Sequence, residues 1–443
     1  MQKPNEFPKV PLTSFLKHSL EILKNPLPFH NKNFENLGDT FQLNVGLKTH
    51  IFFSRDAKFL EYVLQKNQRN YTKSKIQTKE VAKYLGKGLL TAEGEHWKTQ
   101  RKLIQPAFHK QKIKGLLTTI QEQIRDNYSQ LRTGKKFDIF PIFNDLAFLV
   151  VAKALFSSTS NQKDIAQLQH ITEDSQRFLV KELRQPYLGW WFSLSGKIQE
   201  YIDLTESARQ ILKKIVEERK KSNTRFDDLL DLLLDSKYED GSSMEEKQLM
   251  DEILILFVAG HETTSNALTF TSQLLALHPE WQEKIFKEAK SLNANTYDLM
   301  EIVSQSKICQ QVIEESMRLY PPAYFIDRLN YETDEYNSVE IKPQSDLLFS
   351  VYEIHRHPKL WENPNKFKPE RFENGGRQYS SQYFPFGAGP RKCIGNNFAM
   401  FEMIIAVREL VLNYTIKPKF KSIGITPLIT LKPKNAYLEL EKR

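Results

Sequence analysis

Cys393 closes the run Phe384-Pro-Phe-Gly-Ala-Gly-Pro-Arg-Lys-Cys-Ile-Gly395, and three chemistries can be laid on that run. As a dinucleotide-binding loop, Gly387-x-Gly389 needs a third glycine where the chain has Lys392, and no strand leads directly into it. As a catalytic nucleophile, Cys393 needs a partner base that spacing does not locate. As an iron ligand, the run supplies what a haem thiolate requires. A single Cys stands just ahead of an apolar helix, where the macrodipole and open N–H groups stabilise negative sulfur. Gly387, Gly389 and Gly395 let a flat porphyrin approach the backbone, and Arg391 offers a cation to a propionate.

Four further groups have chemical potential. In Leu254-Ile-Leu-Phe-Val-Ala-Gly-His-Glu-Thr-Thr-Ser265, helical spacing puts Ile255, Ala259 and Thr263 on one face. Alone, that pattern is more often a buried helix whose Thr bonds back to a carbonyl than the wall of an oxygen pocket. Glu315 and Arg318 form an i, i+3 pair, worth little on a surface. Trp97 and Arg101 lie one turn apart, an indole and a cation on one face. Arg328 follows Pro321-Pro322, and Arg371 sits in Pro369-Glu-Arg-Phe372.

Together these segments resemble the cytochrome P450 superfamily, in family order and over most of the chain. The haem-binding signature Phe-x-x-Gly-x-Arg-x-Cys-x-Gly is met by Phe386, Gly389, Arg391, Cys393 and Gly395. Ala259, Gly260, Glu262 and Thr263 resemble the distal-helix motif, whose acid–alcohol pair opens a groove for dioxygen and relays protons. Glu315, Arg318 and Arg371 resemble the family's buried structural triad. Trp97, Arg101 and Arg328 occupy the places of propionate-binding residues, while His96, His261 and His355 are expected not to ligate. The resemblance implies a mainly α fold with small β sheets, the triangular P450 prism. It further implies one non-covalent haem b (iron protoporphyrin IX) with Cys393 as axial ligand, and insertion of one oxygen atom of O2 into a C–H bond. A haem-thiolate peroxygenase or isomerase would share Cys393 without needing the Glu262/Thr263 relay, and a haem-binding sensor has no use for that relay.

The elements that must position these groups can be read from periodicity. Residues 39–56 alternate at Phe41, Leu43 and Val45 and turn near Gly46, which predicts a β-hairpin. From about 74 to 320, apolar residues recur every three or four positions, as at Leu204, Ala208, Leu212 and Ile215, predicting successive helices. Arg219 to Arg225 reads as a polar surface loop. Short strands are expected over Phe325–Tyr331 and Leu347–Tyr352, then an irregular Pro- and Asn-rich stretch from Pro358 to Pro390, then a helix from near Ile394. The whole, residues 1–443, is expected to be one haem domain, with a helical body (about 74–320 and 394–412) and a small β region (about 39–56 and 323–352).

Composition sets the limits. A 40% hydrophobic share with 20 Pro and 17 Gly excludes disordered and fibrous classes. Two cysteines, Cys309 and Cys393, exclude a disulfide framework or a Cys-rich metal site. The net charge of +9 is spread through Lys mixed with acids, which argues against a nucleic-acid stripe. No signal segment or bilayer-length apolar run is evident, predicting a cytoplasmic protein without a membrane anchor. The haem domain fills the chain, so electrons are expected from a separate ferredoxin or flavodoxin with its reductase. Lys102, Lys110, Lys112, Lys114 and Lys392 would form the basic proximal face that receives it. Substrate contacts are sought in 72–90, 175–200, the 254–263 face and Ala323–Ile326. Ile76, Leu85, Leu90, Ile255, Val258 and Phe325 suit a fatty acid or terpenoid. Tyr84, Tyr187, Trp190, Trp191, Tyr324, Arg184 and Gln185 would suit a methylated sugar undergoing O-demethylation.

Overall fold

The alternation at Phe41 and Leu43 does pair Thr40–Asn44 antiparallel with His50–Ser54, in a register that sets Phe41 opposite Phe53. This is a computed structural model describing residues 6–44, 50–157, 161–222, 224–292 and 297–443; the expected turn at Val45 and Gly46 lies outside them. The pair belongs to a six-stranded sheet in the spatial order Lys9–Val10, Thr40–Asn44, His50–Ser54, Asp346–Ser350, Phe325–Asn330, Tyr71–Thr72. His50–Ser54 runs parallel to Asp346–Ser350, so strands from both ends of the sequence share one sheet, as expected. Phe41, Phe53 and Phe34 fill one face, while Phe52, Leu347 and Phe349 pack with Phe59, Leu60, Val63 and Phe384 on the other.

The chain packs as two compact units, each assembled from distant segments. One comprises Met1–Ser74, Gln311–Cys393 and Ser422–Asn435, with the six-stranded sheet; the other comprises Lys75–Gln310, Ile394–Lys421 and Ala436–Arg443, and is largely helical. In the helical unit, Glu246–Leu277 is buried on nearly every side against Phe140–Phe156 and Asn396–Asn413. The crossing with Phe140–Phe156 is close: a Cβ on Gly260 would stand 3.0 Å from a Val151 methyl. The strand Phe137–Asp138, unexpected within the helical body, pairs with Tyr437–Lys442.

Three expectations are revised. Asp346–Ser350 ends earlier than predicted because the Ser350 hydroxyl accepts the Glu353 N–H (3.3 Å) and caps the helix Val351–Ile354. The final helix begins at Asn396. Arg219 is not in a surface loop: the helix Lys197–Ser222 runs through it, and its guanidinium is buried between Asp228 (2.7 Å) and Asp231 (2.8 Å). Two carboxylates nine and twelve residues on offset the cost of burying that charge, which local polarity does not reveal.

Candidate functional site

In the sheet-bearing unit the cysteine loop is held by its own backbone. The Cys393 N–H donates to the Phe386 carbonyl (2.9 Å), Gly387 N–H to Phe384 (3.1 Å) and Lys392 N–H to Gly389 (3.1 Å). Gly387 and Gly389 both take φ +68°, and a Cβ on Gly389 would stand 2.0 Å from the Leu64 carbonyl oxygen, so no other residue fits there. The chain turns through Gly389–Arg391 and leaves Cys393 exposed, three residues before the helix Asn396–Asn413. Arg391 donates to the Tyr71 carbonyl (3.3 Å). Arg328, buried on Phe325–Asn330, donates to the Asp327 carbonyl (2.7 Å).

Behind the loop, Glu315, Arg318 and Arg371 are brought together out of solvent. Glu315 holds Arg318 with both oxygens (2.7 and 2.8 Å), accepts the Lys368 N–H (2.8 Å) and reaches Arg371 Nε (3.4 Å). Arg318 spends its other N–H groups on the carbonyls of His355, Pro364 and Lys366, and Arg371 spends its own on Glu362 and Asn363. The irregular stretch is thus tied down through its carbonyls by two buried guanidiniums. Burial pushes the His355 imidazole far below its usual pKa, and its Nε2 accepts the Phe384 N–H (2.9 Å) at the start of the cysteine loop. That lone pair is committed, so His355 is no ligand.

In the helical unit, Glu246–Leu277 opens on one side only. Between Leu249 and Ala276 its single exposed residue is Ala259, and the half-exposed ones are Leu256, Val258, Gly260 and Thr263. Thr263 Oγ1 donates to the Ala259 carbonyl (2.8 Å), a back-bond that withdraws this carbonyl toward the side chain, next to the buried Glu262. His261 turns away and donates Nδ1–H to Phe257 (2.8 Å). On Gly94–Ile104, Trp97 is buried and Arg101 donates Nε–H to Gln105 (3.2 Å).

Sequence reasoning missed a clamp in this unit. Asp251 accepts the Lys87 N–H (3.0 Å) and Arg209 Nε–H (2.9 Å), and Glu252 accepts the Leu89 N–H (2.9 Å). Gly86 and Gly88 are glycine because a Cβ would stand 2.1 Å from the Asp251 carboxylate and 2.6 Å from that of Glu252. Glu182 accepts from Lys83 (2.7 Å) and Tyr84 (2.8 Å). Segment 83–89 is therefore pinned to two helices by carboxylates. The available signal was an acid pair inside the apolar run Leu249-Met-Asp-Glu-Ile253.

The cytochrome P450 family model matches residues 7–440. The chain is a cytochrome P450. It is 30% identical to 11-oxo-beta-amyrin 30-oxidase of Medicago truncatula, over 83% of this chain and 74% of the relative. It is 27% identical to cyclooctat-9-en-7-ol 5-monooxygenase of Streptomyces melanosporofaciens, over 91% and 88%. The crystal structure of the cytochrome P450DA heme domain matches at TM-score 0.87 and 19% identity, covering 100% of this chain and 99% of that one. This P450 therefore has the mainly helical P450 fold, binds haem and is a monooxygenase. The donor set suits that cofactor: an exposed thiol on a glycine-turned loop before a helix, with His355 closed to iron.

Proposed function

We propose that this P450 inserts oxygen into a hydrophobic, terpenoid-like substrate, with Cys393 as the axial thiolate. Haem held by a thiolate supplies the activation of O2 and its transfer to carbon. The observation that carries the reading is the open face of Glu246–Leu277, apolar at Leu256, Val258 and Ala259 and hydroxylated only at Thr263. In this reading Glu262 supplies protons and the Thr263 hydroxyl hands them into the groove beside Ala259 and Gly260. Phe386, Gly389 and Gly395 shape the cysteine loop. Arg328, Arg391, Trp97 and Arg101 hold the propionates, and Glu315, Arg318 and Arg371 keep the loop's support rigid. Residues 1–443 act as one haem domain.

Among the apolar candidate substrate contacts, Leu85 and Ile255 are buried, Leu90, Val258 and Phe325 are half-buried, and Ile76 is exposed. The polar candidates fit a sugar less well. Tyr84 is committed to Glu182, Tyr324 donates to the Leu428 carbonyl (2.6 Å), and Tyr187, Trp190 and Trp191 are exposed. Two relatives named for oxidising 11-oxo-beta-amyrin and cyclooctat-9-en-7-ol support the same class.

Electrons come from a separate acidic ferredoxin or flavodoxin in this proposal. Lys102 is engaged by Glu239 and Lys114 by Asp298 (2.8 Å), which leaves the exposed Lys110 and Lys112 as the stronger contacts. The test is a spin-state titration of the oxidised enzyme with terpenoids, fatty acids and methylated sugars, followed by NADPH-driven turnover with a ferredoxin pair. A high-spin shift and hydroxylated product with a terpenoid are expected. A shift confined to methylated sugars, with formaldehyde released, overturns the substrate assignment.

A further inference from the structure

On the helix Leu27–Leu37 the buried face includes Leu27, His30 and Phe34, so an imidazole stands where helical spacing calls for an apolar side chain. His30 is only 6% exposed. Its ring lies against Phe53 (centroids 4.8 Å apart), Phe325 (5.2 Å) and Phe29 (6.1 Å). The other buried histidines each commit a ring nitrogen: His261 to the Phe257 carbonyl, His355 to the Phe384 N–H and His357 to Asp39. His30 makes no such bond among the described residues, and its Nδ1 is shut off from solvent unpaired. Burying a polar atom without a partner is costly and uncommon in native proteins, which points to a partner from outside the chain.

The surroundings restrict what that partner is. Burial pushes the imidazole pKa down to about 3, so the ring is neutral and carries one N–H and one lone pair. Such a ring matches a hydroxyl, which both donates and accepts, and offers no cation to a fatty-acid carboxylate. The cluster that holds Phe29, Phe53 and Phe325 also contains Val10, Leu43 and Leu348, and it accommodates hydrocarbon around the one polar group. Phe325 links His30 to the substrate side. The strand Phe325–Asn330 opens two residues after the exposed Ala323, inside the segment 323–326 where substrate contacts are sought. Of the three rings against His30, Phe29 and Phe53 are buried, whereas Phe325 is half-buried and stands edge-on at 78°, so it is the cover free to turn aside.

We propose, building on the terpenoid assignment above, that His30 hydrogen-bonds a hydroxyl group of the substrate and so makes this P450 select an already oxygenated terpenoid over the parent hydrocarbon. The test uses the full haem-loaded chain and matched pairs of increasing size: p-menthane with menthol, cedrane with cedrol, and olean-12-ene with beta-amyrin. Dissociation constants are read from the high-spin shift. In at least one pair the wild type is expected to bind the alcohol about tenfold or more tightly than the hydrocarbon. His30→Phe should remove that preference by weakening the alcohol alone, and His30→Gln should keep part of it. The melting temperature of His30→Phe should hold or rise, because an unpaired buried nitrogen is replaced by an apolar ring. If His30→Phe loses its haem, His30→Leu is read in its place. A wild type that binds both members of every pair equally overturns the proposal and leaves the terpenoid assignment standing. A preference that survives in His30→Phe also overturns it, leaving the nitrogen to a buried water, and equal weakening of both members overturns it in favour of packing. No shift of the wild type with any pair ends the terpenoid assignment itself, and the role of His30 with it.

Discussion

Replacing Glu315 by Ala removes one carboxylate and strands three groups at once. Arg318 loses two charge-assisted hydrogen bonds at 2.7 and 2.8 Å, Arg371 loses its 3.4 Å contact, and the Lys368 N–H loses its 2.8 Å acceptor. Glu315 and Arg318 are both wholly buried, so water cannot replace the lost partner. Breaking a buried ion pair from one side costs about 3–5 kcal/mol, and an orphaned buried amide about 1–3 kcal/mol. Because the groups share one acceptor the terms are not additive, and about 4–6 kcal/mol is expected, a large part of the 5–15 kcal/mol typical of a folded protein. Glu315→Gln keeps an acceptor for Lys368 and should lose about 1–3 kcal/mol less than the Ala variant. Urea unfolding followed by circular dichroism, with haem content measured alongside, reads both effects. A Glu315→Ala protein within about 1 kcal/mol of wild type and fully loaded with haem would refute the reasoning.

Thr263→Ala removes the hydroxyl that bonds the Ala259 carbonyl, and product formed per O2 consumed should fall by roughly tenfold or more while O2 uptake persists; unchanged coupling would remove Thr263 from the relay. Gly389→Ala places a methyl against the Leu64 carbonyl at positive φ and should cost at least about 2 kcal/mol with loss of haem uptake, measured by unfolding and absorbance. Glu402 is wholly buried on Asn396–Asn413, and neither of its oxygens has a hydrogen-bond partner among the described residues. Burial raises its pKa far above the usual carboxylate value, so the folded state keeps a proton the unfolded state releases. Its contribution to stability is present below the unfolded pKa of about 4.3 and is lost as pH rises, by at most about 1.4 kcal/mol per pH unit. Glu402→Gln should flatten that slope and gain stability at pH 8; a wild-type slope in the variant counts against a buried neutral acid.

What was legible in the sequence followed from local spacing. Gly387 and Gly389 announce the cysteine loop because both take positive φ and a Cβ at Gly389 would meet the Leu64 carbonyl, and the apolar period of 246–277 announces its helix. The Glu315–Arg318 pair was visible as spacing, while its burial was legible only through the family resemblance, since it depends on carbonyls contributed by residues 355–366. Arg219, Asp251 and Glu182 were missed for one physical reason. A charged residue reads as surface until its partner is known, and Lys83 lies 99 residues from Glu182 while Arg209 lies 42 from Asp251. The Trp190–Trp191 pair shows the reverse error, as residues typed for a pocket stand in solvent.

The most direct test of the central claim is the ferrous–carbon monoxide difference spectrum of the wild type beside Cys393→Ser. The account predicts a thiolate-type, red-shifted Soret band that disappears in the variant while the fold is retained. A histidine-type band in the wild type, or a thiolate-type band that survives in Cys393→Ser, would contradict the assignment of Cys393 as the iron ligand.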